Sequence, residues 1–333
     1  MPNKKNIAVL MGGISPEREI SFRSGKAVAG ALRKTNNNVI DIVVNDKIIS
    51  ELDVHEIDVA FIALHGYFGE DGGIQEILES KGIPYTGSGV YASRLAMNKL
   101  KSKGILRKGN IATPDYLTVL ATQDNSEIVE EVEKLKLPVV TKPIDNGSSV
   151  GISIIREYDE LQNGIDQAGE FGKEILVEKY IEGRELAVSI LNDTPLPIIE
   201  IRPASKFYDY DSKYKDERTQ YIVLKSGKTS SEESLAYSIY VNVQELAVSA
   251  HKSLGCRGFS RVDMVLGNDG EIYVLEANTI PGFTERSLLP KAASAVNINF
   301  VELCNIIVNT ALKPTLNKKN RESNSKTFQP CYI

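Results

Sequence analysis

The sequence predicts an α/β protein in which a parallel-sheet unit is followed by two further sheet units of mixed α+β character. Three observations predict it. Continuous apolar runs alternate with helix-like stretches through the first hundred residues. Shorter strand-like runs then dominate the middle of the chain. Near the end, Arg261–Leu266 and Glu271–Ala277 flank Gly-Asn-Asp-Gly, the signal of a tight hairpin.

The runs Ile7–Met11, Val39–Val44 and Val59–Leu64 read as parallel strands covered on both faces, with a helix at Ser21–Lys34. The first unit should end near Gly87, giving a domain of residues 1–87. A second unit, 88–181, has strands at Tyr116–Leu120, Pro138–Lys142, Gly151–Ile155 and Ile175–Tyr180, and helices near Glu127–Lys136 and Asp159–Ala168. A third, 182–312, has strands at Glu185–Leu191 and Leu196–Ile201, the hairpin, and helices near Glu232–Leu254 and Phe300–Leu312. The polar, Tyr-rich stretch 206–227 reads as a long functional loop. Residues 313–333 read as a flexible tail.

A chain of 333 residues with 42% hydrophobic and 25% charged residues is ordinary for a globular protein with sizeable cores. The net charge of −5 gives no reason to expect nucleic acid as a partner. Cys256, Cys304 and Cys331 are widely spaced, as reduced thiols of a cytoplasmic protein would be. The apolar run after Lys4 and Lys5 is too short for a signal peptide, and no segment has the length of a membrane span.

The hairpin carries the sharpest chemical signal. With Asp269-Gly270 as a two-residue turn, Asn268 pairs with Glu271, Asp263 with Glu276 and Arg261 with Asn278. All four of Arg261, Asp263, Glu276 and Asn278 then share one face. Facing carboxylates repel unless a positive charge sits between them. Arg261 supplies part of it, and a hard cation such as Mg²⁺, sharing its shell with phosphates, would supply the rest. A solvated charged face is the plainer alternative.

Three other segments could carry chemistry. In Gly12-Gly13-Ile14-Ser15-Pro16-Glu17, Ser15 reads as an N-cap and Pro16 as the first helical residue. Glu17 then either meets a ligand at the strand end or only complements the helix dipole. In His65-Gly66-Tyr67-Phe68-Gly69-Glu70-Asp71-Gly72-Gly73 the glycines allow close backbone approach, and His65 reads as structural hydrogen-bonder or ligand contact. Lys142 with Gly147-Ser148-Ser149 reads as a phosphate clamp or an ordinary turn. Gly227-Lys228-Thr229 lacks the upstream glycine of a Walker A motif. Gly87-Ser88-Gly89-Val90-Tyr91-Ala92 matches a dinucleotide fingerprint without the acidic residue it needs, so NAD binding is the weakest reading.

The ordered motifs GGISPEREIS, HGYFGEDGGIQ, IPYTGSGVYAS, MNKLKSK, TKPIDNGSSVGIS, LVEKYIEGRELAV, YDYDSKY, GFSRVDM and LEANTIPGFTERSLLP span Ile7 to about Leu312. Together they resemble the D-alanine–D-alanine ligase family of the ATP-grasp superfamily. The resemblance implies an ATP-grasp fold, with ATP held between the central and C-terminal sheets. It implies that Lys99, Lys142 and the loop-borne Lys213 contact the phosphates, with Ser149 in the lid Gly147–Val150 closing over them. It also implies that Glu178 and the backbone of Lys179–Ile181 hold the adenine, that Glu185 holds the ribose, and that Asp263, Glu276 and Asn278 bind two Mg²⁺ or Mn²⁺ ions.

The implied reaction joins two D-alanines through an acyl phosphate, for peptidoglycan precursor synthesis. Glu17, with Ser148 and Tyr214, would hold and enclose the first D-alanine, near His65. Arg261 and the N–H of Gly282 would stabilise the oxyanion, and Ser287 with the backbone of Leu288 would receive the second carboxylate. Tyr214 resembles ligases that make the dipeptide rather than a depsipeptide. A cytoplasmic homodimer is implied as well. The chain departs from the family at Asn98, Asn146, Val223-Leu224-Lys225, Phe283 and Arg286, which puts loop closure and second-substrate affinity in question. The rivals are a ligase using D-lactate or D-serine second, and a non-catalytic ATP-binding protein.

Overall fold

The computed structural model describes residues 4–123, 125–147, 150–203, 218–284 and 286–313. The expected tail beyond 313, and residues 206–217 of the expected loop, lie outside the described residues.

The chain opens with β1 (Asn6–Gly12), α1 (Arg18–Arg33), β2 (Asn38–Val44), α2 (Glu51–Val54) and β3 (Val59–Ile62). The strands form a parallel sheet in the order β2-β1-β3, as their unbroken apolar runs require. The helix begins at Arg18, two residues later than Ser15 as N-cap implies, and Glu17 is the N-cap residue. The Ser15 hydroxyl is diverted: it donates to the His65 carbonyl at 2.6 Å and accepts from the Glu17 N–H at 3.2 Å.

Three helices follow that the apolar pattern did not reveal: α3 (Gly73–Ser80), α4 (Val90–Met97) and α5 (Lys99–Lys108). Asn98 separates the last two and caps α5, its side chain accepting from the Lys101 N–H at 2.8 Å. Its amide also donates to Asp145. An aspartate there would keep the cap but set two carboxylates together, which gives one of the family departures a local reason.

The central sheet comprises β4 (Tyr116–Leu120), β5 (Val139–Pro143), β6 (Ser153–Ile155) and β7 (Glu174–Lys179), antiparallel in the order β4-β7-β5-β6. Helices α6 (Asn125–Glu133) and α7 (Leu161–Gly169) close a core around Val119, Ile128, Val139, Ile165 and Val177.

The third sheet holds β8 (Gly183–Leu191), β9 (Thr194–Pro195), β10 (Ile199–Arg202), β11 (Gln220–Val223), β14 (Phe259–Gly267) and β15 (Ile272–Asn278). Its order is β11-β10-β8-β14-β15, with β9 on β8. The strand expected at Leu196–Ile201 is delayed to Ile199 because Pro195 and Pro197 cannot donate to the ladder. The end of the expected loop is ordered: 220–223 form β11, and β12 (Lys225–Gly227) pairs in parallel with β13 (Ser234–Ala236). That second strand takes the first residues of the expected helix, since Leu235 is drawn into the core; α8 runs Tyr237–Ser253. The chain ends with α9 (Leu288–Ser294), also not anticipated, and α10 (Phe300–Ala311).

The hairpin turn is one residue longer than expected. Gly267 N–H donates to the Glu271 carbonyl at 2.8 Å, and Gly270 takes the left-handed conformation at φ 85°, making a three-residue loop. By itself that loop would set Leu275 opposite Asp263 and send Glu276 to the other face. A β-bulge at Leu275 restores the pairing, so Asp263 opposes Glu276 and Arg261 opposes Asn278 after all.

The first sheet and the last two helices share one core. Phe283 is fully buried and meets Phe61 of β3 and Phe259 of β14 edge-to-face, at 5.1 and 5.3 Å between centroids. Among the described residues no helix is long and apolar enough to cross a membrane.

Helix α1 lies close enough to β1 that a Cβ on Gly25 would fall 2.3 Å from Met11 Cβ, whereas one on Gly30 would meet nothing within 4 Å. Alanine favours a helix over glycine by about 1 kcal/mol, so Gly30→Ala should stabilise by up to that amount. Gly25→Ala should instead destabilise by about 1–3 kcal/mol through overpacking. Denaturant unfolding of the two variants checks the opposite signs.

Candidate active site

The bulged hairpin forms the floor of a cavity of about 700 Å³. Arg261 Nε and Nη2 donate to the two oxygens of Asp263, each at 2.7 Å, a bidentate pair that fixes the guanidinium plane. Opposite, the Lys99 ammonium lies 3.9 Å from Glu276 Oε2 and donates to the Asn146 carbonyl. Asn278 accepts from the Ile280 N–H at 2.9 Å, turning the chain out of the strand.

Glu17 and His65 come to the same cavity from the first sheet, while Gly282, Ser287 and Leu288 come from the segment after the hairpin. His65 is almost fully buried, with both ring nitrogens engaged. Its Nδ1 lies 3.1 Å from the Ile280 carbonyl, which can only accept, so Nδ1 carries the proton. Nε2 is hydrogen-bonded to the Ser24 hydroxyl at 2.9 Å, and that hydroxyl accepts from the Phe283 N–H at 3.3 Å. His65 thus ties α1 to the segment following the hairpin. Gly282 approaches Ser287 so closely that a Cβ would lie 2.7 Å from its hydroxyl. That hydroxyl in turn accepts from the Thr284 N–H at 3.1 Å.

Lys142, Glu178, Lys179, Ile181, Glu185 and Asp263 do not line this cavity. Lys142 and Glu178 sit on adjacent strands of the central sheet, and Lys179 ends β7. Ile181 lies in the connection to β8, and Glu185 pairs with Val265. The Glu178 carboxylate is bound on both sides: Lys142 donates to Oε1, and the Lys103 ammonium is 2.8 Å from Oε2. Burial pushes the Glu178 pKa up, but the two lysines outweigh it and hold it below the usual carboxylate range. Ser148, Ser149, Lys213 and Tyr214 lie outside the described residues.

Sequence reasoning missed Lys103, and also Arg23, Glu70, Thr219, Tyr221 and Lys291, which line the cavity. Lys103 had a signal: it stands four residues after Lys99, on the same face of α5. Arg286, seen in the sequence only as a departure, lines the cavity beside Ser287.

The hairpin oxygens suit a hard cation. Two carboxylates and one amide are too few for an all-protein cage, and no cluster of three or more His, Cys, Asp or Glu forms a metal site among the described residues. That is the donor set of an ion completing its shell with phosphate oxygens.

Burial pushes Lys103 down to about 8, opposed by Glu178 and reinforced by Lys142 and Arg107. Between pH 8 and the free-lysine value of 10.5, the unfolded chain holds a proton here that the folded chain has released. The residue's contribution to stability therefore rises with pH across that window. Unfolding free energies from pH 7.5 to 10.5 should show the wild type gaining roughly 1–3 kcal/mol relative to Lys103→Met.

The D-ala D-ala ligase N-terminus family model matches residues 44–88, and the corresponding C-terminus model matches residues 105–309. The "D-alanine--D-alanine ligase" of Syntrophotalea carbinolica is 44% identical over 300 residues, covering 90% of this chain and 94% of that protein. The crystal structure of D-alanine–D-alanine ligase from Bacillus anthracis complexed with ATP superposes with a TM-score of 0.80 at 36% identity, covering 92% and 97% of the two chains. The VanG D-Ala:D-Ser ligase from Enterococcus faecalis gives a TM-score of 0.79 at 28% identity, covering 93% of this chain and all of that one. The fold is that of these ATP-grasp enzymes, and the chain belongs to the D-alanine–D-alanine ligase family.

Proposed function

We propose that the protein joins two D-alanines to D-alanyl-D-alanine at the expense of ATP, supplying peptidoglycan precursor. The observation that carries this reading is the set of groups gathered in one cavity. Glu17, Ser287 and Leu288 line it together with Lys99, Arg261, Glu276 and Asn278.

In this reading the Glu17 carboxylate holds the ammonium of the first D-alanine. The carboxylate of that substrate attacks the γ-phosphorus of ATP, the bond to the β–γ bridging oxygen breaks, and ADP leaves an acyl phosphate. Lys99 and Lys142 balance the phosphate charge, so positioning and electrostatics carry most of the rate. The amine of the second D-alanine, its carboxylate received by Ser287 and the Leu288 N–H, attacks the acyl carbonyl and phosphate departs. Arg261, held in plane by Asp263, and the Gly282 N–H face the oxyanion of that step.

Asp263, Glu276 and Asn278 would hold two Mg²⁺ or Mn²⁺ ions. Cations at these oxygens would offset negative charge on the transferring phosphoryl group. Glu178, the Lys179–Ile181 backbone and Glu185 serve the adenosine end. Ser148, Ser149, Lys213 and Tyr214 are assigned to site closure and phosphate contact on resemblance alone. Residues 1–87 chiefly serve the substrates, and 88–181 with 182–312 clasp ATP. A cytoplasmic homodimer is the form expected of such an enzyme.

Phosphate release with ATP and Mg²⁺ should appear with D-alanine alone, with D-alanyl-D-alanine identified by mass. Release only when D-lactate or D-serine is added would favour the variant ligases, and ATP binding without release would favour a non-catalytic protein. Glu276→Gln should lower kcat by about 10²-fold or more with little change in unfolding midpoint, because it removes charge at the metal face rather than in the core. Steady-state kinetics beside thermal unfolding separates the two effects.

A further inference from the structure

Lys103 is a fully buried cation that the reaction as described does not use. It sits one turn after Lys99 on α5, but Lys99 reaches the cavity while Lys103 points between α5 and the central sheet. Its ammonium is 2.8 Å from Glu178 Oε2, donates to Thr113 Oγ1 at 2.6 Å and lies 5.6 Å from the centre of the Tyr116 ring. Lys142 takes the other oxygen of the same carboxylate.

Burying an ammonium costs several kcal/mol before its partners repay it, and an apolar side chain would pack α5 against the sheet without that cost. The charge count gives the cation a purpose. One carboxylate between two ammonium groups leaves the cluster with one net positive charge. Without Lys103 the remaining pair is neutral, and Glu178 belongs wholly to Lys142. In a site of low dielectric, one charge shared in this way is worth more than in water.

We propose that Lys103 is a positioning residue for the nucleotide: by sharing Glu178 it keeps that carboxylate from cancelling Lys142, so that the cluster presents net positive charge to the phosphates of ATP. This rests on the reading that Lys142 faces those phosphates, and its test separates the two ideas.

The measurement is calorimetric affinity for Mg²⁺-ATP without D-alanine, so that no turnover intervenes, with thermal unfolding on the same samples. Lys103→Met should weaken ATP roughly tenfold, the scale of one unit charge several ångströms away in a partly screened site. Lys103→Arg keeps a positive charge beside Glu178, so most of the affinity should be retained in that variant. Unchanged affinity in Lys103→Met would overturn the inference, and so would a Lys103→Arg variant as weak as Lys103→Met, since shape rather than charge would then matter. If Lys103→Met does not fold, Lys103→Gln decides by the same criterion. A Lys103→Gln variant that also fails to fold would make Lys103 purely structural and overturn the proposal. Lys142→Met serves as the control. Weakened ATP binding there, with Lys103→Met unaffected, sinks the inference alone; undiminished binding in Lys142→Met sinks the phosphate reading and the inference with it.

Discussion

The cavity exists because two parts of the chain about two hundred residues apart are held at a fixed separation, and Phe283 with His65 holds them. Phe283 wedges its ring between Phe61 and Phe259, so the first sheet and the hairpin sheet close around one aromatic contact. His65 adds direction to what the rings supply in adhesion, linking the Ser24 hydroxyl of α1 to the Ile280 carbonyl. Glu17, just ahead of α1, is thereby set at a definite distance from Arg261 and Asn278. A dry aromatic contact resists sliding, and a buried hydrogen-bond chain costs free energy if broken. The site inherits its geometry from both.

The hairpin solves a different problem. A strand presents alternate residues to opposite faces, so a turn with one residue too many reverses every side chain beyond it. Here the three-residue turn and the bulge at Leu275 offset each other. The segment near the turn is free to use Gly270 in its left-handed conformation, and Glu276 still arrives opposite Asp263. Glu276 and Lys99 approach each other across that face without a close contact, whereas Arg261 and Asp263 bond each other fully. Asp263 thereby fixes the plane of the guanidinium while facing Glu276 across the hairpin.

Charge is handled in two ways around the hairpin and the central sheet. At the hairpin, side chains are partly exposed and the balance can change as ligands arrive. Against the central sheet, Lys103, Glu178 and Lys142 are buried, with one carboxylate between two ammonium groups. The family departures fit this frame unevenly. Asn98 replaces a carboxylate that would crowd Asp145, and Phe283 fills the contact between sheets. Arg286 adds a cation to the cavity wall beside Ser287, on the side assigned to the second substrate.

By itself the sequence determined the strands of the first two sheets, the face shared by Arg261, Asp263, Glu276 and Asn278, and the family. These depend on local periodicity and on motifs read in order, both of which are written along the chain. It was silent on α2, α3 and α9, which are too short to show a helical period, on α4 and α5, whose apolar periodicity is weak, and on β9 and β11–β13, and it placed the turn one residue short. The meeting of Glu17 with the hairpin residues in one cavity, the partners of His65 and the pairing of Lys103 with Glu178 were decided only by tertiary structure. Each depends on groups distant in sequence meeting in a buried place, where desolvation and hydrogen-bond partners set what a side chain is. No spacing rule along the chain contains that information.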